Sequence, residues 1–137
     1  MASKKLDFEN KDGQLLSARL ELPIAEKPPA FAVFAHCFTC SKNLSAVRNI
    51  GRALTSKGIA VLMFDFTGLG DSEGDFAATT FTTNIQDLFS ASDFLAKEYE
   101  APKILIGHSL GGAAALFAGS QLNNIEAVVT IGAPFDP

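Results

Sequence analysis

Lys103-Ile104-Leu105-Ile106-Gly107-His108-Ser109-Leu110-Gly111-Gly112-Ala113-Ala114-Ala115-Leu116-Phe117-Ala118 is the stretch on which the fold turns. It follows Pro102 and opens with a short apolar run of the kind a buried parallel strand presents. It continues into an Ala-rich run, Leu110 through Leu122, of helical length. Between the two stands a serine with a glycine two residues away on each side. Glycine makes up about 7% of an average protein and serine is comparably common, so these three positions coincide by chance in a chain of this length about one time in twenty. The strand before and the helix after are what give the pattern its weight.

A serine on so sharp a strand-to-helix turn takes a strained backbone conformation. Side chains larger than hydrogen at Gly107 and Gly111 are expected to collide with the neighbouring strand and helix. The strain exposes the hydroxyl. It also brings the Leu110 amide, and the positive end of the following helix, beside the point where a tetrahedral oxyanion would form in acyl transfer. A glycine-rich turn of a nucleotide-binding protein is the competing reading, but neither the Rossmann nor the Walker glycine spacing is matched.

The chain has 137 residues and 47% hydrophobic content, enough for one domain, 1–137, with a real core. Its net charge is -4 and no Lys/Arg cluster occurs, which argues against nucleic acid or an anionic membrane as partner. The first residues, Met1 to Glu9, include Lys4 and Lys5 with no apolar segment behind them. No run reaches the length of a membrane-spanning helix. Cys37 and Cys40 sit too close for a framework disulfide. A cytoplasmic protein is expected.

Around the turn, the pattern is regular. Leu6 to Glu9 and Ser17 to Leu22 read as strands flanking Asn10-Lys11-Asp12-Gly13, an antiparallel hairpin. Ala30 to Ala35 is a continuous apolar strand. Ser45 to about Lys57 reads as a helix ended by Gly58, with Val47, Ile50 and Leu54 on one face. Ile59 to Phe66 is the next buried strand. Thr83 or Asn84 opens a longer helix whose apolar stripe is Ile85, Leu88, Phe89, Phe94 and Leu95, ending before Pro102. A last strand runs from Glu126 to Ile131. Strand and helix alternate from residue 30 onward, which predicts an α/β protein with a mostly parallel sheet and helices on both faces.

In this order the elements resemble the α/β-hydrolase family, and two further stretches carry the resemblance. His36-Cys37-Phe38 is similar to the family's His-Gly-X oxyanion loop, with Cys37 where glycine often stands. Asp65-Phe66-Thr67-Gly68-Leu69-Gly70-Asp71-Ser72 is similar to the Asp-x-x-Gly-x-Gly-x-Ser turn after the fourth strand. With Ala35 to Lys42 and Gly132-Ala133-Pro134-Phe135, the chain looks most like bacterial hydrolases that precede an OsmC-like domain. The resemblance implies a serine hydrolase acting on a small-molecule ester, amide or related acyl bond. Ser109 would be the nucleophile and the amides of Phe38 and Leu110 the oxyanion donors, with His36, Gly107, His108 and Gly111 in support. It implies no cofactor and no metal. It also implies that the acid and histidine of the triad, and later strands of the sheet, lie outside these residues.

Several residues invite other roles. His36 could serve as a base for Ser109, but a loop role, with its ring bonded to nearby backbone, is preferred. His108 adjoins the serine, and the turn points their side chains apart. Asp65 is expected to cap its turn, and Asp71, Glu73 and Asp75 to be solvated surface. Cys37 and Cys40 permit a thiol-redox protein and, with the two histidines, a zinc site. A catalytically inactive piece or binding module is the other alternative. The last strand, apolar at Val128-Val129-Thr130-Ile131, is expected to present an open edge through which copies self-associate.

Overall fold

The Asn10 side chain organises the first turn: its Oδ1 accepts the amides of Asp12 and Gln14 at 3.0 and 2.9 Å. The strands it joins are β1 (Ala2–Glu9) and β2 (Leu15–Leu22), paired antiparallel from Ala2 opposite Leu22 to Glu9 opposite Leu15. The computed structural model describes residues 2–24, 27–36, 42 and 45–133. The remaining elements are β3 (Ala30–Ala35), α1 (Ser45–Ser56), β4 (Ile59–Phe64), a short 3-10 turn (Phe76–Ala78), α2 (Phe81–Glu98), β5 (Ile104–His108), α3 (Leu110–Gln121) and β6 (Ala127–Ile131).

The strands form one sheet in the order β1-β2-β4-β3-β5-β6. The hairpin joins it through an antiparallel pairing of β2 with β4, and the pairs β4–β3, β3–β5 and β5–β6 are parallel. The α/β architecture and its antiparallel N-terminal hairpin are as expected. From β3 the chain passes by α1 to β4 on one side, then by α2 to β5 on the other. The carboxyl ends of β3 and β5 therefore border the crevice where the strand order reverses, the position at which open α/β sheets carry their ligands.

Alternation along the strands builds two cores. Val33, Ala35, Leu62, Phe64 and Leu105 face Leu88, Ala91 and Leu95 of α2 and Ala114, Ala115 and Ala118 of α3. On the opposite face Ala32, Phe34, Val61, Met63 and Ile106 pack on Val47, Ile50 and Leu54 of α1. Each fully buried leucine or phenylalanine stabilises the fold by about 1.5–3 kcal/mol. Small residues let α3 lie close to the sheet, and a methyl added at Gly119 would sit 2.6 Å from Val128 Cγ2.

Some boundaries differ from expectation. Helix α2 starts at Phe81 rather than Thr83, because Thr80 caps it: the Thr80 hydroxyl accepts the Thr83 amide while Thr83 Oγ1 accepts the Thr80 amide. β1 begins at Ala2, β4 ends at Phe64, and β5 runs on through His108. The stripe of α2 also buries Asn84, Asp87 and Ser92. No helix among the described residues is long and apolar enough to cross a membrane.

Candidate active site

Ser109 links β5 to α3 at φ 58, ψ -125, and is the non-glycine residue with positive φ among the described residues. Its amide donates to the Ile131 carbonyl at 2.9 Å, extending the β5–β6 ladder by one rung. A serine at a helix N-cap ordinarily turns its hydroxyl onto the helix. Here the Ser109 side chain makes no capping hydrogen bond. Leu110 is the first residue of α3, so its amide has no carbonyl one turn earlier to bind and stands at the positive end of the helix dipole.

The glycines around the serine are required by close approach. A Cβ on Gly107 would strike the Gly111 carbonyl and the Gly112 Cα, and one on Gly111 would strike the carbonyl oxygens of Ala35 and His36. The first turn of α3 thus lies against both β5 and the end of β3. His108 is half-buried at the end of β5, in register with Ile131. Phe38, Cys37 and Cys40 lie outside the described residues, as does Pro134-Phe135. Among the described residues no group of three or more His, Cys, Asp or Glu side chains gathers as a metal site.

His36 is fully buried, its ring set edge-on to Phe66. Its Nε2 lies 3.2 Å from Oδ1 of Asp65, a side-chain contact the sequence reading did not name. An ionised carboxylate only accepts, so Nε2 carries the proton in this contact. Asp65 does cap its turn, accepting the Asp71 amide at 3.1 Å, but it also receives the Lys42 amide at 2.9 Å and Lys42 Nζ at 2.8 Å. Burial alone would raise the Asp65 pKa; the hydrogen bonds from His36, Lys42 and Asp71 outweigh it and hold the carboxyl well below the usual carboxylate range.

The Asp-x-x-Gly-x-Gly-x-Ser pattern acquires a physical reading from this turn. Gly70, at φ +51, lies so close that a Cβ there would hit the Asp65 carboxylate. The Ser72 hydroxyl donates to the Asp65 carbonyl and accepts the Ser17 amide at 2.9 Å, tying the turn to β2.

The acidic run beyond is more than solvated surface. Asp71, with a side chain 72% exposed, still pairs with Lys42 Nζ at 3.1 Å. Glu73 accepts the Leu15 amide at 2.7 Å, and Asp75 caps the 3-10 turn by accepting the Ala77 amide.

Two members of this region escaped sequence reasoning. Lys42 is buried, and a single lysine in a polar run gives no periodic signal. Asp87, buried in α2, accepts the Thr67 amide at 2.8 Å and the Thr67 hydroxyl at 2.9 Å. Desolvation raises its pKa, with the charge of Asp12 adding to the rise and the Thr67 hydrogen bonds opposing it. The Thr67 hydroxyl in turn accepts from Asn10 Nδ2 at 3.0 Å, joining the hairpin turn to this network.

Comparison with known proteins agrees with this fold. Residues 27–137 match the family model described as serine aminopeptidase, S33. The structure is similar to an esterase domain from Rhodothermus marinus, with 55% identity and a TM-score of 0.84, over 100% of this chain and 52% of that one. It is similar to an esterase from Pyrococcus furiosus, with 26% identity and a TM-score of 0.86, over 98% of this chain and 50% of that one. Human monoglyceride lipase is 29% identical over 114 residues, 82% of this chain and 37% of that protein. The chain thus spans about half the length of the two solved relatives, and less of the lipase. With the strand order, the strained serine turn and a family match over most of its length, the chain belongs to the S33 serine aminopeptidase family of the α/β-hydrolase superfamily.

Proposed function

We propose that this domain carries the nucleophile of a serine hydrolase that cleaves carboxylic esters or closely related acyl bonds of small molecules. The observation that carries the reading is the backbone of Ser109, a serine held at positive φ with its hydroxyl withheld from the helix cap. Strain of this kind costs about 1–3 kcal/mol and persists where the surroundings enforce it, chiefly at reacting sites. The names of similar proteins, two esterases and a monoglyceride lipase, favour an ester over an amide.

In the proposed reaction Ser109 Oγ attacks the substrate carbonyl as a base removes its proton. The oxyanion is held by the amides of Leu110 and Phe38, and the proton passes to the departing alcohol. Water then cleaves the acyl-enzyme by the same route. His36 is a poor base for this purpose, being fully buried and engaged by Asp65. The base and its acid are therefore proposed to come from outside residues 1–137, and these residues alone to turn over esters poorly. Cytoplasmic placement, and the lack of a nucleic-acid or membrane partner, belong to the same proposal; the net charge of -4 supports the second.

The test is covalent. A fluorophosphonate probe applied to the full-length gene product is expected to label Ser109, and Ser109→Ala to lose both label and turnover of an activated ester. Turnover that survives the substitution sinks the reading.

A further inference from the structure

One oxygen of Asp65 meets both His36 and Lys42. Oδ1 lies 3.2 Å from Nε2 of His36, the first residue after β3, and accepts the amide of Lys42 at 2.9 Å. Oδ2 accepts Lys42 Nζ at 2.8 Å and the Asp71 amide at 3.1 Å. On its other side the His36 carbonyl abuts Gly111, in the first turn of the helix that Ser109 opens. Asp65, His36 and Gly111 thus form a continuous chain of contacts from the turn after β4 to the nucleophile's helix.

We propose that Asp65 is a positioning residue for acyl transfer: by drawing His36 and Lys42 onto one carboxylate it fixes the end of β3, and with it the first turn of α3 that the His36 carbonyl abuts, relative to Ser109. The inference rests on reading Ser109 as the nucleophile. A turn cap alone would need only the Asp71 amide, yet three donors come from the two ends of the 36–42 segment. Burying a lysine ammonium is unfavourable unless it is paired, and the Lys42 side chain is only 4% exposed. A turn that merely needed to pack could use an apolar residue there. Oxyanion donors act through placement, so a stem that shifts by part of an ångström weakens transition-state binding without displacing substrate.

The experiment uses the full-length gene product, an activated ester such as p-nitrophenyl butyrate, and active sites counted by fluorophosphonate titration. Asp65→Asn is expected to lower kcat per titrated site about 100-fold with KM changed less than about threefold, the signature of a lost transition-state interaction. The Ki of phenylboronic acid, which forms a tetrahedral adduct on the serine, is expected to rise by a similar factor. Lys42→Met, which spares the carboxylate, should move both quantities the same way by about 10-fold. A purely structural Asp65 would lower the melting temperature while leaving kcat per site and the boronate Ki unchanged, and that result overturns the proposal. If Asp65→Asn does not fold, the same two readouts on Lys42→Met decide. Retained turnover in Ser109→Ala would instead remove the underlying reading, so the two failures are distinct.

Discussion

Lys42 meets Asp65 twice, through its amide at Oδ1 and through its ammonium at Oδ2, at 2.9 and 2.8 Å. The pair is buried, with side-chain exposures of 4% and 1%. Removing one partner of such a pair strands a charge in the interior and costs about 3–5 kcal/mol. Asp65→Ala is therefore expected to lower the stability from urea unfolding by that amount, and Lys42→Met by less, because the carboxylate keeps His36 and two amides.

The same carboxyl sets an acid limit. Its pKa is lowered in the folded state, so its contribution to stability is complete above the unfolded value of about 4 and is lost as pH falls below it. Urea midpoints measured from pH 7 to pH 3 should fall for the wild type and fall less steeply for Asp65→Asn. Parallel curves would contradict this assignment.

Asp87 works with the opposite sign. Its folded pKa is raised, so stability associated with its protonated form is present below about pH 4 and declines as pH rises through the folded value. The stability of Asp87→Asn relative to wild type should accordingly improve as pH rises from about 4 toward neutral. Hydrogen bonds to Thr67 limit the effect, since the amide side chain replaces one acceptor with a donor.

The turn at Ser109 separates strain from chemistry. Ser109→Gly relieves a positive φ that Ser109→Ala retains, so the glycine variant should be the more stable of the two by about 1 kcal/mol while both lose phosphonate labelling. Gly111→Ala would force the new methyl against the carbonyls of Ala35 and His36 and should destabilise by about 1–3 kcal/mol. Thermal unfolding followed by circular dichroism measures all three.

Much of this was legible in the chain because periodicity and glycine spacing are local signals. The parallel strands announced themselves as apolar runs, and Gly107 and Gly111 marked a close approach without revealing its partners. The Thr80 capping box was obscured because Thr83 stands where a glutamate or glutamine would have signalled it. The hub at Asp65 was half visible: its turn could be read, but its bonds to His36 and Lys42 span 29 and 23 residues. Such contacts arise only when β3 and β4 lie side by side, and no single-sequence pattern encodes them.

The two edges of the sheet also differ in ways that sequence shows and structure locates. β1 carries Lys4, Lys5, Asp7 and Glu9, charges that discourage pairing with another strand. β6 carries none, and its Val129 and Ile131 are 48% and 40% exposed. We propose that the 137-residue polypeptide made by itself associates through β6. Light scattering should report a mass that grows with concentration, and Val129→Lys should return it to the monomer.

The hydrogen bond from the Ser109 amide to Ile131 gives that edge a second significance. Ser109 is the last rung of a ladder whose other rail is β6, so tension or fraying along β6 reaches the serine directly. Whatever steadies that strand is expected to steady the backbone of Ser109 as well, and the exchange rate of one amide proton, that of Ser109, would register it.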